Sequence, residues 1–137
     1  MNSFLKRTAA VAVLAAAFGV AYAGDMSVKL TGAQEVPAVD TKATASGKIS
    51  VAADNSVTGS IKTSGIVGTV AHIHEAAMGK NGPPIITLEK TGDDTFSVPA
   101  GSKLTDAQYD SLKSGNLYVN VHSAEHKPGE IRAQLKP

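Results

Sequence analysis

The sequence predicts an all-β domain: an antiparallel Greek-key β-sandwich of about eight strands with one short connecting helix. Three observations predict it. Several stretches alternate apolar and polar residues with period two, the mark of a strand with one face in a core and one in water. Turn residues recur roughly every 8–12 positions between those stretches. Only one segment, Leu104 to Gly115, carries helix punctuation at both ends.

In chain order, Met26 to Thr31 reads as a first strand, with Val28 and Leu30 on one face. Gly32 to Thr41 is a polar loop containing Glu35-Val36-Pro37. Ala43 to Val51 alternates strictly, Asp54-Asn55 turns the chain, and Val57 to Lys62 returns with the same alternation, so the two should pair as a hairpin. A strand over Thr69 to Glu75 follows. Asn81-Gly82-Pro83-Pro84 can continue neither a helix nor a central strand and forms a turn. Pro84 to Glu89 and Thr95 to Val98 are the next strands, separated by the Thr91-Gly92-Asp93-Asp94 turn. In the helical segment Thr105 is the N-cap, Gln108 closes a capping box, and Gly115 is a left-handed stop. Leu117 to His122 puts Leu117, Val119 and Val121 on one face and Tyr118, Asn120 and His122 on the other. Glu130 to Leu135 is the last strand, with Ile131, Ala133 and Leu135 inward.

The first 23 residues read as a cleaved signal peptide. Lys6 and Arg7 form a positive start, Thr8 to Val20 an apolar stretch, and Ala21-Tyr22-Ala23 a small-x-small cleavage site before Gly24. The apolar run falls short of the about 20 residues that a membrane span needs. The protein is therefore expected to be exported to a periplasm, with no membrane attachment after cleavage and residues 24–137 forming a single domain. Removing Lys6 and Arg7 from the 13 basic residues leaves 11 against 12 acidic ones. No basic patch points to nucleic acid. Phe96, Tyr109 and Tyr118 are the aromatics of the mature part, so its core must be built from Val, Ile, Leu and Ala. Cysteine is absent, which excludes Cys-type zinc sites and blue copper and leaves His, Met and carboxylates as metal ligands. No nucleophile elbow, paired-carboxylate site or phosphate-binding glycine loop is visible. A homodimer is left open.

The chemistry is organised around Val70 to Pro84. His72 and His74 are two apart on a strand, so they share a face and can grip one metal ion. His122 ends another strand, and paired strands lie only about 4.8 Å apart. His126, in the loop four residues on, is the candidate fourth ligand or else a solvated histidine. Met78 is either a soft thioether ligand for Cu(I) or a loop methionine without a role. Glu75 is a strand-end charge or a group that orients an imidazole. Asn120 shares the face of His122 and is placed to hydrogen-bond near the site. Arg132, on the outward face of the last strand, reads as a solvated charge or as a group steering an anionic substrate.

Five ordered motifs, Leu30 to Pro37, Ala71 to His74, Asn81 to Pro83, Leu117 to His122 and Gly129 to Arg132, resemble the CHRD domain family, named after chordin. The resemblance covers essentially all of residues 24–137. More distantly, the His-x-His strand, the later strand-ending histidine and the arginine in the last strand resemble copper-zinc superoxide dismutase, a Greek-key fold. That resemblance implies copper ligation by His72, His74 and His122 and a superoxide-guiding role for Arg132. No histidine between Gly79 and Leu88 matches the one that bridges copper and zinc, and the zinc ligands and disulfide cysteines are missing. The expected function is periplasmic copper buffering, delivery or resistance, with zinc as the alternative ion. The rival readings are a copper-only dismutase of low activity and a metal-free interaction module.

Overall fold

A computed structural model describes residues 24–137. The signal-peptide assignment, residues 1–23, lies outside the described residues. Eight strands follow one another: β1 (Gly24–Thr31), β2 (Thr44–Val51), β3 (Val57–Ser64), β4 (Gly68–Glu75), β5 (Pro84–Gly92), β6 (Thr95–Ser97), β7 (Leu117–Ser123) and β8 (Ile131–Gln134). A 3₁₀ turn, Gly32–Gln34, follows β1, and the helix α1 (Asp106–Lys113) lies between β6 and β7. Each strand falls within a few residues of its expected place. The helix has both halves of the capping box: Gln108 N–H donates to Thr105 Oγ1, and Thr105 N–H donates to Gln108 Oε1. Gly115 stops it with φ of 77°.

All pairings between strands are antiparallel. The order around the sheet is β1-β2-β3-β6-β5-β4-β7-β8, and β8 pairs back to β1 at Arg132 and Thr31. The expected two-sheet sandwich is thus corrected to a closed barrel. The reason lies in β1, which pairs β2 along its whole length and still meets β8 at its last residue. Every strand thus has a neighbour on both sides, although β1 and β8 meet at one residue pair only. Period-two alternation records two faces of a strand and is the same for a sandwich and a barrel.

The barrel interior holds Met26, Val28 and Leu30 of β1, Ile49 and Val51 of β2, Ile61 of β3, Ala71 and Ile73 of β4, Leu117, Val119 and Val121 of β7, and Ile131 and Ala133 of β8. Phe96 is the one large aromatic ring in this core among the described residues. With Ala71 and Ile73 pointing inward, His72 and His74 must point outward. The same alternation turns Tyr118, Asn120 and His122 outward from β7 and Arg132 from β8. These three neighbouring strands therefore present one polar outer face. It is not left to water, because the β4–β5 connection and the β1–β2 loop fold across part of it. Tyr118, Asn120 and Arg132 are buried beneath them.

Candidate metal centre

Register decides which of the outward residues meet. Across β4 and β7, His74 stands opposite Tyr118, His72 opposite Asn120, and Val70 opposite His122. His122 is then the diagonal neighbour of His72 on the same face, within reach of a long side chain. The rings close that diagonal: His72 Nδ1 lies 3.0 Å from His122 Nε2. The His72 ring centroid is 5.3 Å from that of His74 and 4.9 Å from that of His122. One ligand nitrogen from each of the three histidines lies within 4.8 Å of the others. Nitrogens bound to one ion at about 2.0–2.1 Å sit roughly 3–4 Å apart, depending on the angle between the bonds. The most separated of the three nitrogens need to draw together by roughly 1–2 Å to share an ion.

Backbone carbonyls fix how two of the rings face. His74 Nδ1–H donates to Gly82 O at 2.8 Å, and His122 Nδ1–H donates to Lys127 O at 2.7 Å. Each ring then offers Nε2 as a lone pair, an orienting arrangement common behind metal-binding imidazoles. His122 Nε2 accepts from His72 Nδ1–H, since its own hydrogen is committed to Lys127. An ion between these two nitrogens would send the His72 hydrogen to Nε2, a change of tautomer with no change of charge. His74 Nε2 is buried with no hydrogen-bond partner. Burial, and then its neighbouring histidines, push the pKa of His72 down. Burial also lowers that of His74, with the charges of His122 and Arg132 adding to it, against the opposing effects of the hydrogen bond to Gly82 and of the nearby Asn120 side chain. Both rings are held in the neutral form that a metal requires.

A stack supports His74 from behind. Its ring lies parallel to that of Tyr118, with centroids 4.7 Å apart and planes at 3°. The Arg132 guanidinium carbon sits 3.4 Å from the centre of the other face of Tyr118. Arg132 Nη1 donates to Asn81 Oδ1 at 3.1 Å and Nη2 donates to Lys80 O at 2.6 Å. Asn81 Nδ2 in turn donates to Val36 O at 2.8 Å. Gly82 completes the assembly: its N–H donates to Tyr118 Oη at 3.2 Å while its carbonyl holds His74. A Cβ at Gly82 would run into the backbone carbonyl of Glu75, so only glycine lets the loop lie this close to β4.

The reading of Arg132 as a solvated charge is corrected. The residue is 1% exposed, because the Lys80–Gly82 segment covers the outward face of β8. His126 is not brought into the histidine group. Its backbone N–H donates to Ser123 Oγ, and its carbonyl accepts from Ser123 and Gly129, which shapes the loop carrying Lys127 O to His122. Met78 is 65% exposed, on the rim of a cavity of 320 Å³ lined also by Glu35 and Arg132. Glu75 ends β4 on the face opposite His74. Asn120 is buried beside the centre. Sequence reasoning passed over Glu35, which is buried against this same cluster. Its one signal in the sequence is its place in the Leu30-to-Pro37 motif, within a stretch whose polar composition otherwise marks a solvated loop.

An antiparallel barrel of eight strands with three convergent imidazoles on its outer face defines the class: a small β-barrel domain with a candidate histidine metal centre. A family model for the CHRD domain matches residues 26–135, and the chain belongs to that family. Neither the curated proteins nor the solved structures give a match to it.

Proposed function

We propose that this CHRD domain is an exported copper-binding protein, with His72, His74 and His122 as the ligands, that buffers, delivers or detoxifies copper in a periplasm. The observation that carries the reading is the three ring nitrogens gathered within 4.8 Å, one of them a buried lone pair with no partner. An all-imidazole site suits Cu(II) and Zn(II), and the intrinsic affinity order favours copper. Export rests on the signal-like residues 1–23.

A dismutase reading draws on the wiring. β7 returns to lie beside β4 after β4, β5 and β6 have followed one another, a Greek-key connection of the general kind that the superoxide dismutase resemblance implies. Against it, Arg132 is committed to Lys80, Asn81 and Tyr118, so it is not free to steer superoxide. Copper storage or transfer is the better-supported role. Titration of the metal-free protein with Cu(II) against a competing chelator tests the centre. One ion per chain is expected, and replacing any of the three histidines by Ala should weaken binding at least about tenfold, or about 1.4 kcal/mol. A His72→Ala/His74→Ala variant that binds as tightly as the parent would place the site elsewhere.

A further inference from the structure

Among the described residues, three buried side-chain polar atoms have no hydrogen-bond partner: His74 Nε2, Asn120 Oδ1 and Glu35 Oε1. They belong to one cluster. Asn120 acts on His74 and also on Glu35 through their side chains. Gly129, with φ of 128°, shows how tightly the last two are set. A Cβ there would lie 2.6 Å from both Asn120 Nδ2 and Glu35 Oε1. The missing side chain is the space in which the amide and the carboxylate meet. Nδ2 lies on the Glu35 side, so the amide is placed to donate to the carboxylate, and Oδ1 is left without a partner.

Charge explains why a carboxylate is placed there. Three neutral imidazoles bring no negative charge to a cation. Arg132, the buried guanidinium of the cluster, makes the surroundings positive, and its charge is felt at His74. Glu35 is 6% exposed, and Arg132 is the cation that acts on it. We propose that Glu35 is a selectivity residue of the histidine centre: held beside the centre by the Asn120 amide, its carboxylate offsets Arg132 so that the centre favours a doubly over a singly charged ion. The inference rests on the three-histidine reading. A fixed charge acts twice as strongly on a divalent as on a monovalent ion at the same place. Removing the carboxylate therefore weakens Cu(II) more than Cu(I).

The test compares Cu(II) and Cu(I) dissociation constants, each by chelator competition at neutral pH, in the parent, Glu35→Gln and Glu35→Asp. Gln keeps the shape and loses the charge; Asp keeps the charge. Glu35→Gln should cut the preference for Cu(II) about tenfold, raising the one-electron potential by about 59 mV. Glu35→Asp should stay closer to the parent. A structural role alone would lower the melting temperature and both affinities by a common factor, and that outcome overturns the proposal. Should Glu35→Gln not fold, Asn120→Ala carries the test: it removes the amide and should lower the same ratio, and an unchanged ratio overturns the proposal. A parent that binds no copper ends the metal reading and this one together. A parent that binds through the three histidines, with the ratio unmoved by Glu35→Gln, ends this one alone.

Discussion

His72 and His74 each have a pKa below the ordinary histidine value of 6.5, with burial as the leading cause. The unfolded chain then takes up protons first as the pH falls. Stability from keeping these rings neutral is complete above the unfolded pKa and is lost as the pH drops through and below about 6.5. Glu35 works with the opposite sign. Burial raises its pKa above 4.5, so the folded state holds its proton longer and stability falls as the pH rises above that value. The metal-free protein should therefore melt at a lower temperature at pH about 5.5 than at about 7. In His74→Gln the fall should be shallower, since one of the two rings is gone. Thermal melts of both proteins across that range, without metal, check it. Parallel curves would mean that His74 does not carry the effect. At this scale the sequence told which way side chains point but not what covers them. Alternation placed Arg132 outward correctly, and only the Lys80–Gly82 segment, which no periodicity describes, decides that outward means buried.

Short elements with local rules were the easiest to read. The helix carries its start in Thr105 and Gln108 and its stop in Gly115, all within one stretch of chain, and the structure has each. The β2–β3 hairpin was legible for the same reason. The connection from β4 to β5 shows where legibility ends. Asn81-Gly82-Pro83 announces a turn, but its contacts with His74, Tyr118 and Arg132 depend on residues 36 to 51 positions away along the chain or on the end of β4. Those contacts make the turn part of the site. Gly82→Ala should push the loop off β4, because the new Cβ has no room beside the Glu75 carbonyl. Loss of the carbonyl that orients His74 should weaken Cu(II) binding roughly tenfold or more, as other orienting partners do. The fold should lose about 1–3 kcal/mol. Chelator competition and denaturant melts measure the two effects. Unchanged copper affinity in a folded Gly82→Ala protein would show that the Gly82 carbonyl does not orient His74 for the ion.

Closure of the barrel joins these parts into one cooperative unit, and so links metal occupancy to global stability. The ligands come from β4 and β7, which pair over most of their length. Their supports come from the chain between β4 and β5, through Gly82, and from the chain between β7 and β8, through Lys127. Arg132, stacked on Tyr118 behind His74, sits at the β8 residue that pairs with Thr31 to close the ring. An ion at the three histidines thus holds adjacent strands and both flanking connections, none of which keep this arrangement in the unfolded chain. Binding to the folded state alone stabilises by about 2.7 kcal/mol at a free ion concentration one hundred times the dissociation constant. For a domain of this size that corresponds to a rise in melting temperature of roughly 10 °C. The rise should disappear in His72→Ala/His74→Ala and be reversed in the parent by a strong chelator. Hydrogen exchange should slow in residues 76–83 and 124–130 together with β4 and β7, because the orienting carbonyls lie in those two connections. A copper-dependent rise that persists in the double variant would assign the stabilisation to an ion bound elsewhere on the chain. Protection confined to β4 would show that the ion does not engage His122.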